Sequence, residues 1–468
     1  MKRRTKIICT LGPSVDSREK IKSLIEAGMN VARLNCSHGS WEQRQRWIGW
    51  IRELSPELAP VAVLVDLQGP KFRIGAIPNG DMTVVAGQNL TIGPSPQCDL
   101  LIEQKDILAA FSTGARLLLG DGQVEIKLTA RGTDSFPAKV VTGGLVKSRQ
   151  GVTVVGKVFE SPCLTPKDLE DLQQAILNEA DIIALSYVHH AQDVRELRRM
   201  VTRLGSQAVL CAKIETREAV RNLDEIIRAT DLVMVARGDL GLQMEAEEVP
   251  LAQKRIIERC SVAGKPVVTA TQMLESMINS PRPTRAEASD VANAILDGTD
   301  AVMLSGETAS GNFPIECVRT MARIAEKAEP IFDRARLERR FHDSGLESSH
   351  TEAVAFAVSE LAKLLKPAAI VTTTTSGQTA RLVSKFRPKC PILCATWSES
   401  TCRQMAAVWG VEAVMVSQPE STDGNIEQAL DVLTRKHRLK LGDQVILTAG
   451  VPAGVPGHTN LILTQQVK

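Results

Sequence analysis

Apolar runs that alternate with amphipathic segments constrain the fold of this 468-residue chain more than any other feature. The runs are continuously apolar, as in parallel strands buried on both faces, and each closes on polar or glycine-rich residues. There are eight, at residues 6–11, 30–36, 61–67, 181–188, 209–215, 231–238, 266–272 and 301–307. A doubly wound sheet would give similar local patterns, but the count favours a (β/α)8 barrel with its functional residues on the carboxyl-end rim.

The alternation stops between residues 72 and 156, where short runs rich in valine and threonine are joined by turns. Two of these turns, PNGD (78–81) and GDG (120–122), carry the Asn-Gly or Asp-Gly pairs typical of β-hairpins. The pattern predicts an all-β insert, residues 71–156, in a loop on the rim of the barrel. Such an insert can close over a site and exclude water. The alternative is an insert that only stabilises the barrel.

A third module follows a polar stretch at residues 341–351 that we interpret as a linker. Helix-like and strand-like runs alternate again, which predicts a C-terminal α/β domain over residues 341–468 and assigns residues 1–70 and 157–340 to the barrel. The hydroxyl-rich stretch TTTTSGQT (372–379) lies where a strand gives way to a helix. Hydroxyls, a glycine and free helix amides favour an anion there. The alternative is an ordinary helix cap.

Net charge and cysteine content exclude several classes of protein. The formal net charge is only +2 and the charges are interspersed, so we expect no nucleic-acid partner and no membrane association. Ten cysteines without a secretory leader indicate reduced thiols and a cytoplasmic location. Cys390, Cys394 and Cys402 are close in sequence, but no histidine completes a zinc spacing, and the seven histidines form no obvious metal cluster.

Ionisable residues end two neighbouring apolar runs between residues 209 and 241. Lys213 and Glu215 end the first, and side chains two apart on a strand project to the same side. Arg237 and Asp239 end the second, which a right-handed crossover places parallel beside the first. Two carboxylates suit Mg²⁺ or Mn²⁺, and the ammonium adds positive charge where a phosphate would lie. The alternative is a set of salt bridges that only caps the sheet edge.

Seven short motifs, taken together and in order, resemble the pyruvate kinase family over nearly the whole chain. They are RLNCSHG (33–39), DLQGPK (66–71), AKIE (212–215), VARGDLG (235–241), ATQMLESM (270–277), RPTRAE (282–287) and MLSGET (303–308). The resemblance implies a TIM (β/α)8 barrel with an inserted β-barrel lid domain and a C-terminal α/β domain that binds an effector. This is the order of segments inferred above.

The resemblance also implies transfer of the phosphoryl group of phosphoenolpyruvate to ADP, giving pyruvate and ATP in the last step of glycolysis. Glu215 and Asp239 match the ligands of the divalent ion, and Lys213 matches the central cation. The implied substrate-binding residues are Arg33, Lys213, Arg237, Gly238, Asp239 and Thr271. Proton transfer to the enolate falls to a water relay near Thr271, Ser305 and Glu307, with no single side chain as its obvious donor.

By the same resemblance, Arg73, Asn35 and His38 face the nucleotide. His38 is as well placed to orient its own loop by hydrogen bonds as to contact the ligand. The lid hinge departs from the family, since Arg149-Gln150 stands where a lysine usually precedes the glycine that matches Gly151. That departure leaves contact between the lid and the nucleotide open.

A second departure concerns the monovalent cation. In potassium-dependent members a threonine and a glutamate occupy the positions of Leu67 and Lys71, so this chain resembles the potassium-independent branch. A tethered ammonium can supply the charge of a bound potassium ion, and the lost hydroxyl and carboxylate remove ligands for it. The internal-cation region implied by the resemblance comprises Asn35, Ser37, Asp66 and Lys71.

In the third module, the effector-binding residues implied by the resemblance are Thr374, Ser376, Gly377 and Thr379, with the glycine-rich turn of residues 450–457 folding over the ligand. A sugar phosphate or a nucleotide is the expected effector, and a homotetramer the expected assembly. Two other functions stay open. A metal-dependent, enolate-forming lyase or aldolase would not need Lys213 with Lys71, a lid or a third domain. A sugar-phosphate sensor would not need Lys213, Glu215 and Asp239 intact.

Overall fold

The computed structural model describes residues 3–77, 80–120, 122–156, 162–343, 349–418, 421–451 and 459–468. Some predictions fall on the remaining residues. Several predicted segments lie outside the described residues: Pro78-Asn79 and Asp121 of the two hairpin turns, residues 344–348 of the linker, and residues 452–457 of the glycine-rich turn.

The chain begins with repeats of strand and helix: β1 (Lys6–Thr10), α1 (Arg18–Ala27), β2 (Val31–Asn35), α2 (Trp41–Leu54) and β3 (Ala62–Asp66). All five residues of β1 and of β3 are buried, as continuous apolar runs predict. Both helices start at a serine whose side chain accepts a backbone N–H of the first turn. Sequence and local structure therefore agree in the first part of the barrel.

The insert that follows β3 is mainly β-structure. Its elements are β4 (Asp81–Val84), β5 (Asn89–Gly93), β6 (Leu100–Leu101), α3 (Lys105–Ala109), β7 (Arg116–Leu119), β8 (Val124–Leu128), β9 (Phe136–Thr142), β10 (Gly144–Lys147) and β11 (Val152–Val154). The all-β prediction is wrong at α3, whose Ile107 packs into the core of the insert. The strands form a six-stranded sheet, β11-β7-β8-β9-β5-β6, and a two-stranded ribbon, β10-β4, so among the described residues no hydrogen-bonded ring closes the lid into a β-barrel.

The barrel then resumes. Its remaining elements are α4 (Pro166–Leu177), β12 (Ile182–Leu185), α5 (Ala191–Arg203), β13 (Val209–Ile214), α6 (Arg217–Arg221), α7 (Leu223–Ala229), β14 (Leu232–Ala236), α8 (Arg237–Gln243), α9 (Val249–Ala263), β15 (Val267–Ala270), α10 (Arg285–Asp297), β16 (Ala301–Leu304), α11 (Gly306–Ala309), α12 (Pro314–Ala328) and α13 (Arg334–Asp343). The strands close in the order β1-β16-β15-β14-β13-β12-β3-β2. The prediction of a (β/α)8 barrel is confirmed.

Two details differ from the expected pattern. The unit between residues 209 and 241 contains two short helices rather than one, because α6 ends at Arg221 and α7 begins at Leu223. In addition, α8 begins directly after β14, so Asp239 lies in the first turn of a helix rather than at a strand end. Its carboxylate still reaches the rim, because α8 starts at the carboxyl end of the barrel.

The C-terminal domain comprises α14 (His350–Leu365), β17 (Ala369–Thr373), α15 (Gln378–Lys385), β18 (Ile392–Thr396), α16 (Glu399–Gln404), β19 (Val411–Met415), α17 (Thr422–Arg435), β20 (Gln444–Gly450) and β21 (Thr459–Gln466). The five-stranded sheet runs β19-β18-β17-β20-β21 and is parallel except for β21. Four 3₁₀ turns complete the described structure: Pro13–Val15, Glu275–Ile278, Glu329–Ile331 and Met405–Ala407. The predicted linker starts later than expected, because α13 extends to Asp343.

The C-terminal domain contacts the amino end of the barrel. Ala406 and Ala407 share one buried cluster with interior barrel side chains such as Leu64. The functional rim is therefore at the opposite end of the barrel from this domain. None of the helices in the described part of the chain is long and apolar enough to cross a membrane.

Candidate active site

Lys213 is the central cation of the rim. The side chain is at the end of β13 and is 8 % exposed. Its Nζ lies 2.8 Å from Glu215 Oε1 and 3.2 Å from Asp66 Oδ1, and it donates to Ser186 Oγ at 2.7 Å. Burial lowers the pKa of Lys213, but the carboxylates of Asp66, Glu215 and, farther away, Asp239 outweigh it and raise the pKa above its usual value. The ammonium therefore stays charged at neutral pH.

Asp66 links the two cations of the site. Arg33 donates from Nε to Asp66 Oδ2 at 2.8 Å and from NH1 to Thr10 Oγ1 at 2.9 Å. Burial raises the pKa of Asp66, yet the positive charges of Lys213 and Arg33 lower it below its usual value. The carboxylate is therefore an ionised bridge that fixes both cations on one side of the barrel mouth.

Ser186 and Tyr187 belong to the same cluster, and neither was predicted from the sequence. Ser186 accepts from Lys213 and donates from Oγ to Leu67 O at 2.7 Å. The backbone N–H of Tyr187 donates to Glu215 Oε2 at 2.7 Å, from a residue with φ of 55°. The only indication in the sequence was their position at the end of the fourth apolar run, where the other rim residues lie.

Glu215 and Asp239 supply oxygen ligands suitable for a hard divalent cation. Burial raises the pKa of Glu215, Lys213 opposes this, and the nearby charge of Asp239 adds to it. The site contains three carboxylates, those of Asp66, Glu215 and Asp239, but only two cations, Arg33 and Lys213. One negative charge therefore remains uncompensated. This oxygen-rich set with excess negative charge fits Mg²⁺ or Mn²⁺, whose binding would bring the cluster to a net positive charge.

The Arg237 side chain supports the loop after β15. It donates to the carbonyls of Thr271 at 2.6 Å and Gln272 at 3.0 Å, and its NH1 pairs with Asp290 at 2.6 Å. Both loop residues have positive φ, 64° and 53°, an uncommon conformation for non-glycine residues. The donors of the guanidinium are directed at the loop, which leaves the backbone around Arg237 and Gly238 for the substrate contact that the family resemblance implies. The Gly238 N–H, by contrast, does face the loop's threonine, donating to Thr271 Oγ1 at 2.8 Å.

Replacing Arg237 by alanine is expected to lower the midpoint of thermal unfolding by roughly 6–12 °C. The change leaves several loop carbonyls and the partly exposed Asp290 without the buried guanidinium donor, which costs about 3 kcal/mol. Calorimetry of purified variants measures the shift, and the exposed Arg282→Ala is the control, with a change near zero. Equal midpoints for the two variants would contradict the supporting role.

Glu307 holds two backbone segments together. Its carboxylate accepts from the N–H of Leu274 at 3.1 Å and from the N–H of Ser305 at 2.7 Å. Ser305 Oγ is buried and has no hydrogen-bond partner among the described residues. The Glu307 carboxylate therefore fixes the backbone next to Ser305, whereas the Ser305 hydroxyl, unpartnered among the described residues, is available to water or ligand.

Positive charge extends from the centre of the site toward the lid. Arg73 forms an isolated antiparallel bridge with Gly151 and donates to Arg149 O at 3.1 Å. Partial burial of the ring lowers the pKa of His38, and the nearby positive charges of Arg73 and Lys71 lower it further. Arg149 thus contributes its backbone carbonyl to the lid hinge. Arg73, which is expected to contact the nucleotide, lies with Lys71 near His38 on this side of the site.

Two of the four residues of the internal-cation region, Asn35 and Asp66, are register partners at the ends of the neighbouring strands β2 and β3. Asn35 Oδ1 accepts the N–H of Ser37 at 3.0 Å, and Asp66 is held by Arg33 and Lys213. Lys71 packs instead against the lid hinge, where a Cβ on Gly151 would come within 2.9 Å of Lys71 Cε. Within the described ranges, no carboxylate forms an ion pair with Lys71.

The hydroxyl-rich loop of the C-terminal domain has its expected position between β17 and α15. Thr374 Oγ1 accepts the N–H of Gly377, which has φ of 75°, at 3.0 Å. Thr379 is buried and hydrogen-bonded to Thr459 Oγ1 at 2.7 Å, whereas Ser376 is exposed. The Thr374 hydroxyl therefore stabilises the turn before α15, and Ser376 is accessible to a ligand.

Comparison with known proteins gives matches over nearly the whole chain. Family models described as "Pyruvate kinase, barrel domain" and "Pyruvate kinase, alpha/beta domain" match residues 2–318 and 352–463. Pyruvate kinase of Geobacillus stearothermophilus is 44% identical over 99% of this chain and 80% of its own length. Pyruvate kinase 2 of Synechocystis is 43% identical over 100% of this chain and 80% of its own length. The Clostridium perfringens pyruvate kinase is 40% identical over 99% of this chain and 100% of its own length.

Proposed function

The chain belongs to the pyruvate kinase family, whose enzymes form pyruvate and ATP from phosphoenolpyruvate and ADP, and we propose that this member does so without requiring potassium and under control of a phosphorylated effector. The observation that carries the proposal is the buried ammonium of Lys213 between Asp66 and Glu215 at the barrel mouth. A loose phosphoryl transition state needs positioning and charge neutralisation more than covalent chemistry. A fixed, fully charged lysine supplies both.

Each residue has a distinct proposed role. Arg33, held by Asp66, orients the phosphoryl group, and Lys213 stabilises both the phosphoryl in transfer and the developing enolate oxygen. Glu215 and Asp239 hold Mg²⁺ or Mn²⁺, which adds positive charge next to the transferred group. The Gly238 N–H and the Thr271 hydroxyl, which are hydrogen-bonded to each other, are the proposed donors to the substrate carboxylate.

Protonation of the enolate is assigned to water rather than to one side chain. Ser305 Oγ is buried without a partner among the described residues and lies on the rim after β16. With Thr271 it can hold an ordered water, since a buried polar atom of this kind is usually satisfied by solvent. The Glu307 carboxylate positions Ser305 by accepting the backbone N–H of Ser305. On the nucleotide side, Arg73, Asn35 and His38 are the proposed contacts.

Independence from potassium is supported by the state of the oxygens that a monovalent cation would need. Asp66 is neutralised by Arg33 and Lys213, and the Asn35 side-chain oxygen already accepts a backbone N–H. Lys71, without an ion pair to any described residue, brings one further positive charge to the same side of the site. A bound potassium ion would add positive charge to a region where these side chains already supply it.

The test is pyruvate formation with Mg²⁺, with ADP present or omitted, and with sodium or potassium as the only monovalent cation. We expect equal, ADP-dependent rates in the two salts. Strong activation by potassium over sodium would contradict independence. The absence of pyruvate in both salts would favour the lyase or the sensor. An ADP-independent reaction on oxaloacetate would single out the lyase.

Introducing a carboxylate at residue 71 is expected to create dependence on potassium. In Lys71→Glu combined with Leu67→Thr, we expect the rate in sodium to fall by about 10-fold or more and potassium to restore most of it, because reversing a nearby charge is worth over 1 kcal/mol. Initial rates across a potassium titration measure the effect. Lys105→Glu, on the exposed side of the lid, is the control and should respond to neither salt.

Effector control is supported by a continuous set of contacts between the hydroxyl-rich loop and the barrel. Thr401 Oγ1 donates to Thr375 O at 2.7 Å, and Arg403, on the same helix α16, donates to Asp181 Oδ1 at 2.6 Å. Asp181 is buried, accepts the N–H of Val63, and immediately precedes β12. That strand leads to Ser186, which contacts Lys213. The proposed ligand contacts are Thr374, Ser376, Gly377 and Thr379.

Arg403→Ala is expected to separate effector binding from activation. A panel of sugar phosphates and nucleoside monophosphates first identifies the activator of the wild-type enzyme by initial rates. In the variant we expect calorimetric binding of that compound within about 3-fold of wild type, but activation reduced to roughly one fifth, since typical coupling energies are 1–3 kcal/mol. Arg435→Ala, which removes an exposed side chain of α17, is the control. Unchanged activation in Arg403→Ala would contradict this path.

We further propose the domain limits 1–70 with 157–340, 71–156 and 341–468, a homotetramer, and a cytoplasmic location. The separate buried cores of the lid and of the C-terminal domain support the limits. Sedimentation velocity at several protein concentrations tests the assembly, and a single species with the mass of four chains is the expected result.

A further inference from the structure

Three side chains with the chemistry of metal ligands meet on the rim, apart from Glu215 and Asp239. Cys163 precedes α4, His189 follows β12, and Asp193 lies in the first turn of α5. Their ligand atoms all lie within 4.8 Å of one another. Cys163 comes from the segment before α4, whereas His189 and Asp193 lie at the start of α5, and for this reason sequence spacing gave no indication of the group.

The geometry of each side chain leaves it able to bind an ion. Cys163 is 6 % exposed, and its Sγ lies 2.9 Å from the carbonyl of Tyr187, a weak bond that a metal can replace. The ring of His189 has no hydrogen bond to any described residue. Asp193 Oδ2 accepts the backbone N–H groups of His189 and His190 at 2.8 and 2.9 Å, so the main chain holds this carboxylate in place.

A further acidic group lies next to the cluster. Glu218 Oε2 is buried and has no hydrogen-bond partner among the described residues, while Oε1 contacts His190 Nε2 at 3.2 Å. Burial lowers the pKa of the His189 ring, and the charge of Glu218 is the largest that opposes this effect. A buried oxygen without a donor requires a cation or a water. Glu218 lies outside the three-ligand group and contributes a nearby negative charge rather than a fourth ligand.

We propose that Cys163, His189 and Asp193 form a binding site for a borderline-soft divalent ion of the zinc class, separate from the Mg²⁺ site. Sulfur, imidazole and one carboxylate are the ligand types that Zn²⁺ takes in four-coordinate sites, whereas Mg²⁺ selects oxygen alone. Binding forms a metal–sulfur bond and releases the Sγ proton to solvent. The ion therefore exchanges for one proton, and no oxidant or reductant is needed.

Cobalt(II) is the probe that tests the site, since it takes zinc positions and reports on its ligands by absorption. The full-length protein is titrated with Co²⁺ in the presence of saturating Mg²⁺, which occupies the oxygen ligands. We expect one equivalent to give a thiolate-to-cobalt charge-transfer band in the near ultraviolet and intense visible bands typical of four-coordination. Cobalt bound only at Glu215 and Asp239 would show neither band, and that result would overturn the proposal.

Two variants and one control make the assignment specific. In Cys163→Ala the charge-transfer band should disappear, and in His189→Gln the affinity for Co²⁺ should fall by about 10-fold or more. Cys98→Ser, which removes a partly exposed thiol in the lid, should behave as wild type. Thermal unfolding provides a second readout, because an ion bound only by the folded state raises the unfolding midpoint in wild type and not in Cys163→Ala. A band that persists in Cys163→Ala would overturn the assignment.

Discussion

Replacing Lys213 by methionine is expected to lower kcat by about 10³–10⁴-fold, equivalent to roughly 4–5.5 kcal/mol of transition-state stabilisation. Methionine has similar length and fills the same volume, so the change removes the charge rather than the packing. Asp66 and Glu215 then remain beside the reacting atoms, and Arg33 is the one side-chain cation of the pair that is left, together with Mg²⁺, to balance them. Both the phosphoryl in transfer and the enolate lose their nearest cation.

The measurement is a single-turnover and steady-state comparison with purified wild type at saturating Mg²⁺. We expect KM for phosphoenolpyruvate to change much less than kcat, because an interaction made chiefly in the transition state is lost. Lys265→Met is the matched control. This lysine also belongs to the barrel, but it donates to Thr230 O at 2.7 Å near the amino end, and its loss should leave kcat within about 2-fold. A Lys213→Met enzyme with kcat within about 10-fold of wild type would contradict the central role.

The barrel and the core of the site could be predicted from the sequence for a physical reason. Parallel strands buried on both faces need continuous apolar runs, and their carboxyl ends meet on one rim. Lys213 and Glu215 are two residues apart on one strand, so the period of the strand alone places them together. Asp239 was found by the same argument, although it lies in a helix.

Other features of the site depend on tertiary contacts that leave no local pattern. The direction of the Arg237 side chain is fixed by the carbonyls of residues 270–272, which are 33 or more positions away in sequence. Ser186 resembles any polar residue after an apolar run until Lys213 is placed beside it. The cluster of Cys163, His189 and Asp193 likewise combines a residue before one helix with residues at the start of another. Periodicity cannot detect such groupings, because they join elements that are far apart in sequence.

Asp239→Asn is expected to lower kcat/KM by roughly 10²–10³-fold at a fixed, subsaturating Mg²⁺ concentration. Asparagine keeps the shape and one oxygen, but it removes one of two negative charges from the proposed ion site. Glu215 is already shared with Lys213 and with the Tyr187 N–H, so it cannot compensate. A unit charge a few ångströms from a divalent ion is worth about 3–4 kcal/mol in partly buried surroundings.

The Mg²⁺ dependence of the rate distinguishes loss of the ion from damage to the fold. In Asp239→Asn, half-maximal activity should require about 10-fold or more additional Mg²⁺, and excess ion should recover part of the rate. Glu247→Gln, an exposed carboxylate shortly after the same helix, should keep the wild-type curve. Removal of divalent ions with EDTA should abolish activity in all three proteins. If Asp239→Asn and wild type had the same Mg²⁺ dependence, Asp239 would not be a ligand, and the excess negative charge at the rim would require another counterion.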